Sequence, residues 1–136
     1  MWQHEYSVET SASPETIWTI FCNVPGWPEW IDGLDHAETN GPFEAGTLLR
    51  LIPSGQGQVS SSLIEVKENE GFIDESRHGD VLIRVEHRIQ PIASERTRIV
   101  YAIRVSGPSA ENIGKAVSAD FPDVLKALAS LAESKE

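Results

Sequence analysis

The sequence contains a single cysteine, Cys22, in 136 residues. One cysteine cannot form a disulfide within the chain, which suits a fold held by packing in a reducing compartment. Basic residues are also scarce: 11 Lys and Arg face 21 Asp and Glu, which gives a formal net charge of -10. Because phosphates and anionic lipid surfaces attract clustered cations, this balance disfavours binding to nucleic acid or to a charged membrane surface.

Long apolar runs are absent as well. No segment approaches the ~20 apolar residues that a membrane-spanning helix needs. The chain starts Met1-Trp2-Gln3, without the basic flank and apolar run of a signal peptide. We therefore expect a cytoplasmic protein without membrane insertion. At this length, with 40% hydrophobic residues, we expect residues 1–136 to fold as a single domain.

Motifs for the common cofactors and reactions are also missing. The four histidines show no His-Glu-x-x-His spacing, and no Gly-x-Ser-x-Gly turn is present. Gly55-Gln56-Gly57 lacks the strand-loop-helix context of a phosphate-binding loop. We therefore predict no metal site and no cofactor. The sequence leaves open whether the protein is an enzyme, and it identifies no catalytic residue.

The chain does contain a long succession of alternating segments. Val81, Ile83, Val85, His87 and Ile89 alternate with polar neighbours, which is the period of a half-buried strand. Strands are predicted at residues 2–9, 35–40, 47–52, 58–67, 72–78, 81–89 and 97–105, with a loop at 91–96. Since short turns connect the later strands, the sheet is predicted to be antiparallel.

Helices are predicted after the first strand and after the last strand of the chain. Ser13-Pro14-Glu15 is a helix start, and Pro25 ends that helix near Asn23. A second short helix is predicted at residues 27–32. Residues 109–135 carry a helical apolar stripe, and Pro122 is expected to kink this last helix or restart it after Asp120. A long helix with one apolar stripe has to bury that stripe against the sheet.

Several segments resemble a known family. Ser13-Pro14-Glu15-Thr16-Ile17-Trp18 and Gly26-Trp27-Pro28-Glu29-Trp30 resemble the opening of the polyketide cyclase/dehydrase-like proteins, which belong to the START-like (Bet v 1-like, SRPBCC) superfamily. Phe43 to Thr47, Glu86 to Ile89 and Thr97 to Ile99 fit the same pattern in order. The resemblance covers nearly the whole chain. Two departures are Asn23, where relatives often have Asp, and Pro122 inside the terminal helix.

The resemblance implies an α+β helix-grip fold. In that fold a curved antiparallel sheet of about seven strands wraps around a long C-terminal helix, and two short helices follow the first strand. It also implies a pocket between sheet and helix for an apolar or amphipathic small molecule. Relatives include lipid carriers, plant hormone receptors, chaperone activators and aromatase/cyclases, so the fold alone does not select a function.

Two polar residues stand out on predicted inner faces. His87 shares a face with Val85 and Ile89, and Tyr101 shares a face with Ile99 and Ile103. They could transfer protons to and from a bound molecule. The alternative is a buried histidine hydrogen-bonded to a neighbour, beside a tyrosine that belongs to the core.

The predicted cavity lining follows from alternation and from the aromatic residues. It comprises Trp27, Phe72, His87, Tyr101, Ile103 and Phe121. Of the nearby pair Trp27 and Trp30, one is expected to pack in the core and the other to line the pocket mouth. Two functions remain open: a carrier of a lipid-like or polyketide-like molecule, and a cyclase or dehydratase that uses His87 and Tyr101. The charged surface does not indicate a protein-interaction module.

Overall fold

The computed structural model describes residues 1–136 and contains one seven-stranded sheet. The strands are β1 (Trp2–Thr10), β2 (Leu34–Thr39), β3 (Leu48–Pro53), β4 (Val59–Lys67), β5 (Gly71–His78), β6 (Val81–Ala93) and β7 (Arg96–Ser106). All neighbours pair antiparallel in the order β1-β7-β6-β5-β4-β3-β2, which places the first strand beside the last. The predicted antiparallel sheet is confirmed.

Two short helical segments connect β1 to β2. Helix α1 spans Pro14–Cys22, and the Ser13 side chain caps it by accepting from the Thr16 amide at 3.2 Å. A 3-10 helix follows at Val24–Glu29, earlier than the predicted helix at residues 27–32. The prediction was displaced because Pro25 was read as a breaker. In the structure it stands in the first turn, where no backbone N–H is needed.

The C-terminal helix is interrupted, as Pro122 predicts. Helix α2 spans Ala110–Val117, and α3 (Phe121–Ser134) restarts directly after Asp120. The Ser118 hydroxyl fixes the interruption, since it donates to the Gly114 carbonyl at 2.7 Å and lies 2.8 Å from the Tyr6 hydroxyl. Val117 belongs to the apolar stripe predicted to be buried in residues 109–135, but the interruption leaves it 38% exposed.

Strand register places a row of rings on the inner face of the sheet. His87 on β6 pairs with Phe72 on β5 and with Tyr101 on β7, and Tyr101 pairs with Tyr6 on β1. Directly opposed residues of antiparallel strands project to the same face. The four side chains therefore form one continuous row across four strands.

The outer face carries the cations. Arg84 on β6 pairs with Glu75 on the neighbouring β5 at 2.7 Å, and Arg88 on β6 reaches across β7 to Glu5 on β1 at 3.0 Å, so these arginines connect the strands as a charge ladder. Pairs this exposed contribute little to stability. Their position matters more, because it directs positive charge away from the interior.

One predicted loop is in fact strand. β6 continues through residues 91–93 with an irregularity between Pro91 and Ala93, although residues 91–96 were predicted as a loop. Proline lacks the donor that a regular ladder needs, and a bulge near a strand end accommodates it.

The helices cover the inner face and close the core. α3 packs against β1 and α1, while α2 packs against β1 and β7. A main cluster of 19 buried residues joins α1, α3 and the sheet, and a second cluster of six lies near α2. This arrangement confirms the helix-grip fold. None of the helices combines the length and apolar character needed to cross a membrane.

Candidate functional site

A cavity of about 690 Å³ lies between the sheet and the helical segments. Its floor is the inner face of β3 to β7. Its sides are the 3-10 segment with the residues that follow it, and the junction of α2 with α3. Exposed residues such as Gln56, His78 and Val117 mark where it opens to solvent. The sheet curves away from the helices here, which leaves the space unfilled.

Five of the six residues predicted as lining stand at the cavity wall: Trp27, Phe72, His87, Tyr101 and Phe121. Ile103 does not. It is 1% exposed and packs with Val105 and Ala110 in the smaller cluster. Alternation placed Ile103 on the correct face, but α2 packs over this end of β7 and fills the space.

Trp27 and Trp30 both reach the cavity, whereas only one of them was expected there. Both are buried, and their ring centroids lie 6.1 Å apart. A 3-10 helix has three residues per turn, so residues three apart project to the same side. The indole N–H of Trp27 donates to the Phe21 carbonyl at 3.0 Å, which fixes this ring against α1.

His87 is held between aromatic rings. Its ring stacks on Phe72 at 4.0 Å and meets the edge of Tyr101 at 4.5 Å between centroids. Nδ1 lies 3.3 Å from the Phe72 carbonyl oxygen. Because a carbonyl can only accept, neutral His87 carries its proton on Nδ1 and leaves Nε2 as an acceptor. Burial lowers the pKa of His87 to about 3, so the ring is neutral at physiological pH.

Asp74 places a carboxyl group beside His87, and it was not among the residues predicted from the sequence. Its carboxylate Oδ1 lies 3.9 Å from His87 Nδ1, and its side chain is 19% exposed. Burial raises the pKa of Asp74 to about 6, although the Ser61 hydroxyl and the backbone amide of Asp74 act in the opposite direction. The Ser61 hydroxyl is close enough to Asp74 to favour its charged form, but the buried Ser61 Oγ does not reach full hydrogen-bond geometry with any group.

The signal for Asp74 was present in the sequence. β5 carries polar residues on both faces, so its polarity does not reveal which face is buried. Once Phe72 is assigned to the interior, period-two geometry places Asp74 and Ser76 there as well. The register confirms this side, because Asp74 pairs with the buried Val85.

Tyr101 and Asp120 complete the polar part of the wall. Burial, followed by the nearby charges of Asp74 and Asp120, raises the pKa of Tyr101 far enough to keep the phenol protonated. Burial also raises the pKa of Asp120, which lies at the junction of α2 and α3. Tyr101 is therefore a permanent hydrogen-bond donor, and Asp74 changes charge near neutral pH.

The wall offers no grouping of ligands for a metal. No three His, Cys, Asp or Glu side chains converge as they would around an ion. The chemistry available to the site is that of carboxyl groups, a neutral imidazole and a phenol, surrounded by aromatic rings. Such a set can orient a polar group of a ligand or move a proton.

Solved structures of similar fold are numerous, and their sequences have diverged widely. A START superfamily protein from Mycobacterium smegmatis has a TM-score of 0.77 at 18% identity, over 98% of this chain and 99% of that one. Norcoclaurine synthase from Thalictrum flavum, solved with dopamine and hydroxybenzaldehyde, has a TM-score of 0.77 at 16% identity, over 99% of this chain and 88% of that one. The Zhui aromatase/cyclase from Streptomyces sp. R1128 has a TM-score of 0.77 at 15% identity, over 97% of this chain and 93% of that one.

Sequence comparison identifies the family. No functionally curated protein matches the chain. The family model described as polyketide cyclase/dehydrase and lipid transport matches residues 1–133. This match over almost the entire sequence shows that the chain belongs to the polyketide cyclase/dehydrase and lipid transport family.

Proposed function

We propose that this protein binds an apolar or amphipathic small molecule, lipid-like or polyketide-like, in the cavity between the sheet and the C-terminal helices. The observation that carries this proposal is the cavity itself, about 690 Å³ in volume and walled by aromatic rings. That volume lies within the roughly 300–1,000 Å³ typical of small-molecule sites. Trp27, Phe72 and Phe121 supply apolar contact, and the few polar groups supply orientation.

A neutral fluorescent probe tests the proposal directly. N-phenyl-1-naphthylamine brightens when it leaves water for an apolar site, so titration should show saturable binding at one probe per chain. Ser61 faces the cavity, and Ser61→Phe fills part of it with a ring. We expect this variant to weaken probe binding about tenfold, since steric exclusion removes contact area from the bound probe.

The neighbouring serine provides the matched control. Ser62 follows Ser61 on β4 and therefore projects to the opposite face of the sheet. Ser62→Phe introduces the same ring outside the cavity and should leave probe affinity unchanged. If both variants bind the probe as the unmodified protein does, the probe lies elsewhere and the cavity is not the binding site.

A second candidate is an enzyme of the polyketide cyclase or dehydratase type. The observation in its favour is the placement of Asp74 3.9 Å from His87 in an aromatic cavity. The sequence analysis assigned proton transfer to His87 and Tyr101. Burial makes His87 a weak base, whereas the pKa of Asp74, about 6, suits proton removal near neutral pH.

In this candidate reaction the Asp74 carboxylate would take a proton from the carbon next to a ketone. The carbanion charge would move to the ketone oxygen, where the Tyr101 hydroxyl would donate a hydrogen bond. Asp74 would then hold the proton as a carboxylic acid and return it to the product. A water-poor site strengthens such electrostatic stabilisation.

Deuterium exchange separates the two candidates. The probe 4-phenylbutan-2-one, incubated in D₂O and followed by NMR, exchanges its α-protons faster if the site removes protons. An enzyme should lose this acceleration in Asp74→Asn while retaining affinity for the probe. A carrier should bind the probe without accelerating exchange in any variant, His87→Ala included.

A further inference from the structure

The cavity wall contains carboxyl groups but neither Lys nor Arg. Its titratable residues are Asp32, Asp74, His78, His87, Tyr101 and Asp120. His87 is neutral because burial lowers its pKa to about 3. The arginines of β6 pair with glutamates on the outer face instead. A ligand carboxylate, phosphate or sulfate entering this cavity would find no Lys or Arg with which to pair.

Two side chains inside the cavity have no charged partner or completed side-chain hydrogen bond. Asp74 Oδ1 lies 3.9 Å from Nδ1 of neutral His87, beyond hydrogen-bond distance, and pairs with no Lys or Arg. Ser61 Oγ makes no hydrogen bond, although Ser61 is only 5% exposed. Buried acceptors left unpaired carry a penalty that a donor from the ligand would remove. An ammonium group brings three donors and one positive charge.

The aromatic wall suits the same kind of ligand. Phe72 stacks on Trp27 with centroids 6.1 Å apart, and Tyr101 meets Phe121 edge-on at 5.4 Å. Ring faces attract cations, most strongly where water is excluded. The same rings provide an apolar surface for the rest of a ligand.

We propose that the cavity selects amphipathic amines: the ammonium group pairs with the Asp74 carboxylate and bonds to Ser61 Oγ, and the apolar body lies against Trp27 and Phe72. This inference rests on the proposed small-molecule binding and names its ligand class. Neutral ligands of the same shape bind more weakly. Anionic ligands of the same shape bind most weakly of all.

A matched series of three probes tests the selection. Isothermal titration at pH 7.5 compares 4-phenylbutylamine, 4-phenylbutan-1-ol and 4-phenylbutanoate, which share one apolar body and differ in charge. We expect the amine to bind about tenfold more tightly than the alcohol, because its ammonium forms charge-assisted hydrogen bonds, and the carboxylate to bind least. Equal affinities for amine and alcohol would overturn the inference.

Substitutions locate the charge responsible. Asp74→Asn keeps the shape and should reduce amine affinity to that of the alcohol, while alcohol affinity stays within about twofold. Glu75→Gln removes the same charge from the adjacent residue on the outer face. It should change neither the affinity for the amine nor the affinity for the alcohol. If Asp120→Asn abolishes the amine preference and Asp74→Asn does not, the ammonium lies at the cavity mouth and the assignment to Asp74 is wrong.

A pH titration of the unmodified protein tests whether the amine preference depends on a carboxylate, without a variant. An alkyl ammonium stays charged throughout, whereas Asp74, with a pKa of about 6, becomes protonated between pH 7.5 and 5.0. The groups facing Asp74 are His87, Tyr101 and Ser61, with Asp120 on the opposite wall. His87 stays neutral over this range, so the amine preference should fall with pH while alcohol affinity holds. An amine preference that does not change with pH would refute the role of Asp74.

The probes also separate this inference from the proposed function. If N-phenyl-1-naphthylamine and the alcohol bind but the amine has no advantage, the cavity binds small molecules and the amine selection is wrong. If neither the neutral probes nor the amine bind, both proposals fail together.

Discussion

At the scale of a single residue, Asp74 makes folding depend on pH. Burial raises the pKa of its carboxyl group from the ordinary 3.8 to about 6 in the folded protein. Between these values the unfolded chain is ionised and the folded chain is still protonated. Asp74 therefore lowers the free energy of unfolding as the pH rises. Its favourable contribution is fully present below about pH 4 and is lost as the pH rises through 6, and the total loss is about 2–3 kcal/mol at most.

Asp74→Asn should consequently raise the free energy of unfolding at pH 7.5. We expect a gain of about 1–3 kcal/mol that shrinks to nearly nothing below pH 4, measured by urea unfolding across this range. Glu75→Gln serves as the control because it removes a carboxylate that already faces Arg84 on the outer surface. A gain for Asp74→Asn that is constant across pH would show that the carboxyl is not destabilised by burial.

Site residues were predictable where alternation and chemistry agree. Trp27, Phe72, His87, Tyr101 and Phe121 all reach the cavity wall, because they are rings on faces that period two or helix position assigns to the interior. Ile103 shows the limit of this reasoning. Alternation gives the face of a residue, but whether a helix or empty space lies above it depends on tertiary packing.

At the scale of elements, the close pairing of β5 with β6 depends on Gly71. This residue has φ 145°, and a Cβ built there would collide with the backbone carbonyl of His87. Neither strand can move away without losing the register that aligns Phe72 with His87. The first residue of β5 thus determines how closely the strand approaches the row of rings.

Gly71→Ala should therefore destabilise the protein by about 2 kcal/mol or more, because the clash involves backbone on both sides. Gly57→Ala is the matched control, since nothing lies within 4 Å of a Cβ at that position. It should stay within about 0.5 kcal/mol of the unmodified protein in urea unfolding. Similar stabilities for the two variants would mean that β5 and β6 can separate at little cost.

Most elements were predictable, and the misplaced boundaries involve proline. Three prolines show this: Pro25, Pro91 and Pro122. The sequence reading treats each as a breaker, yet Pro25 begins a 3-10 helix and Pro91 sits within β6, while Pro122 starts α3 as expected. Proline lacks the backbone N–H donor and fixes the angle φ. Whether it ends a helix or strand, or begins one, depends on the surrounding structure.

At the scale of the whole molecule, charge opposes compactness. The formal net charge of -10 places many like charges on a small surface, and their mutual repulsion is relieved when salt screens it. The fold tolerates this repulsion because burial of the two apolar clusters stabilises the folded state. The negative electrostatic field of the acidic groups also attracts cations towards the protein.

Adding salt should accordingly raise the melting temperature. We expect an increase of several degrees between low ionic strength and about 0.2 M NaCl at pH 7.5, followed by circular dichroism. Repeating the comparison at the sequence pI of about 4.8 is the control, because the net charge vanishes there and the increase should largely disappear. A melting temperature that falls with salt at pH 7.5 would show that specific ion pairs outweigh the general repulsion.

The break between α2 and α3 has a consequence for how this family can diversify. Five cavity residues lie at this junction: Ala116, Val117, Ala119, Asp120 and Phe121. None of them takes part in strand pairing. Substitutions there can change the shape and charge of the cavity while the sheet keeps its register. New ligand preferences can thus evolve through substitutions at a few positions of this junction, while the rest of the fold stays unchanged.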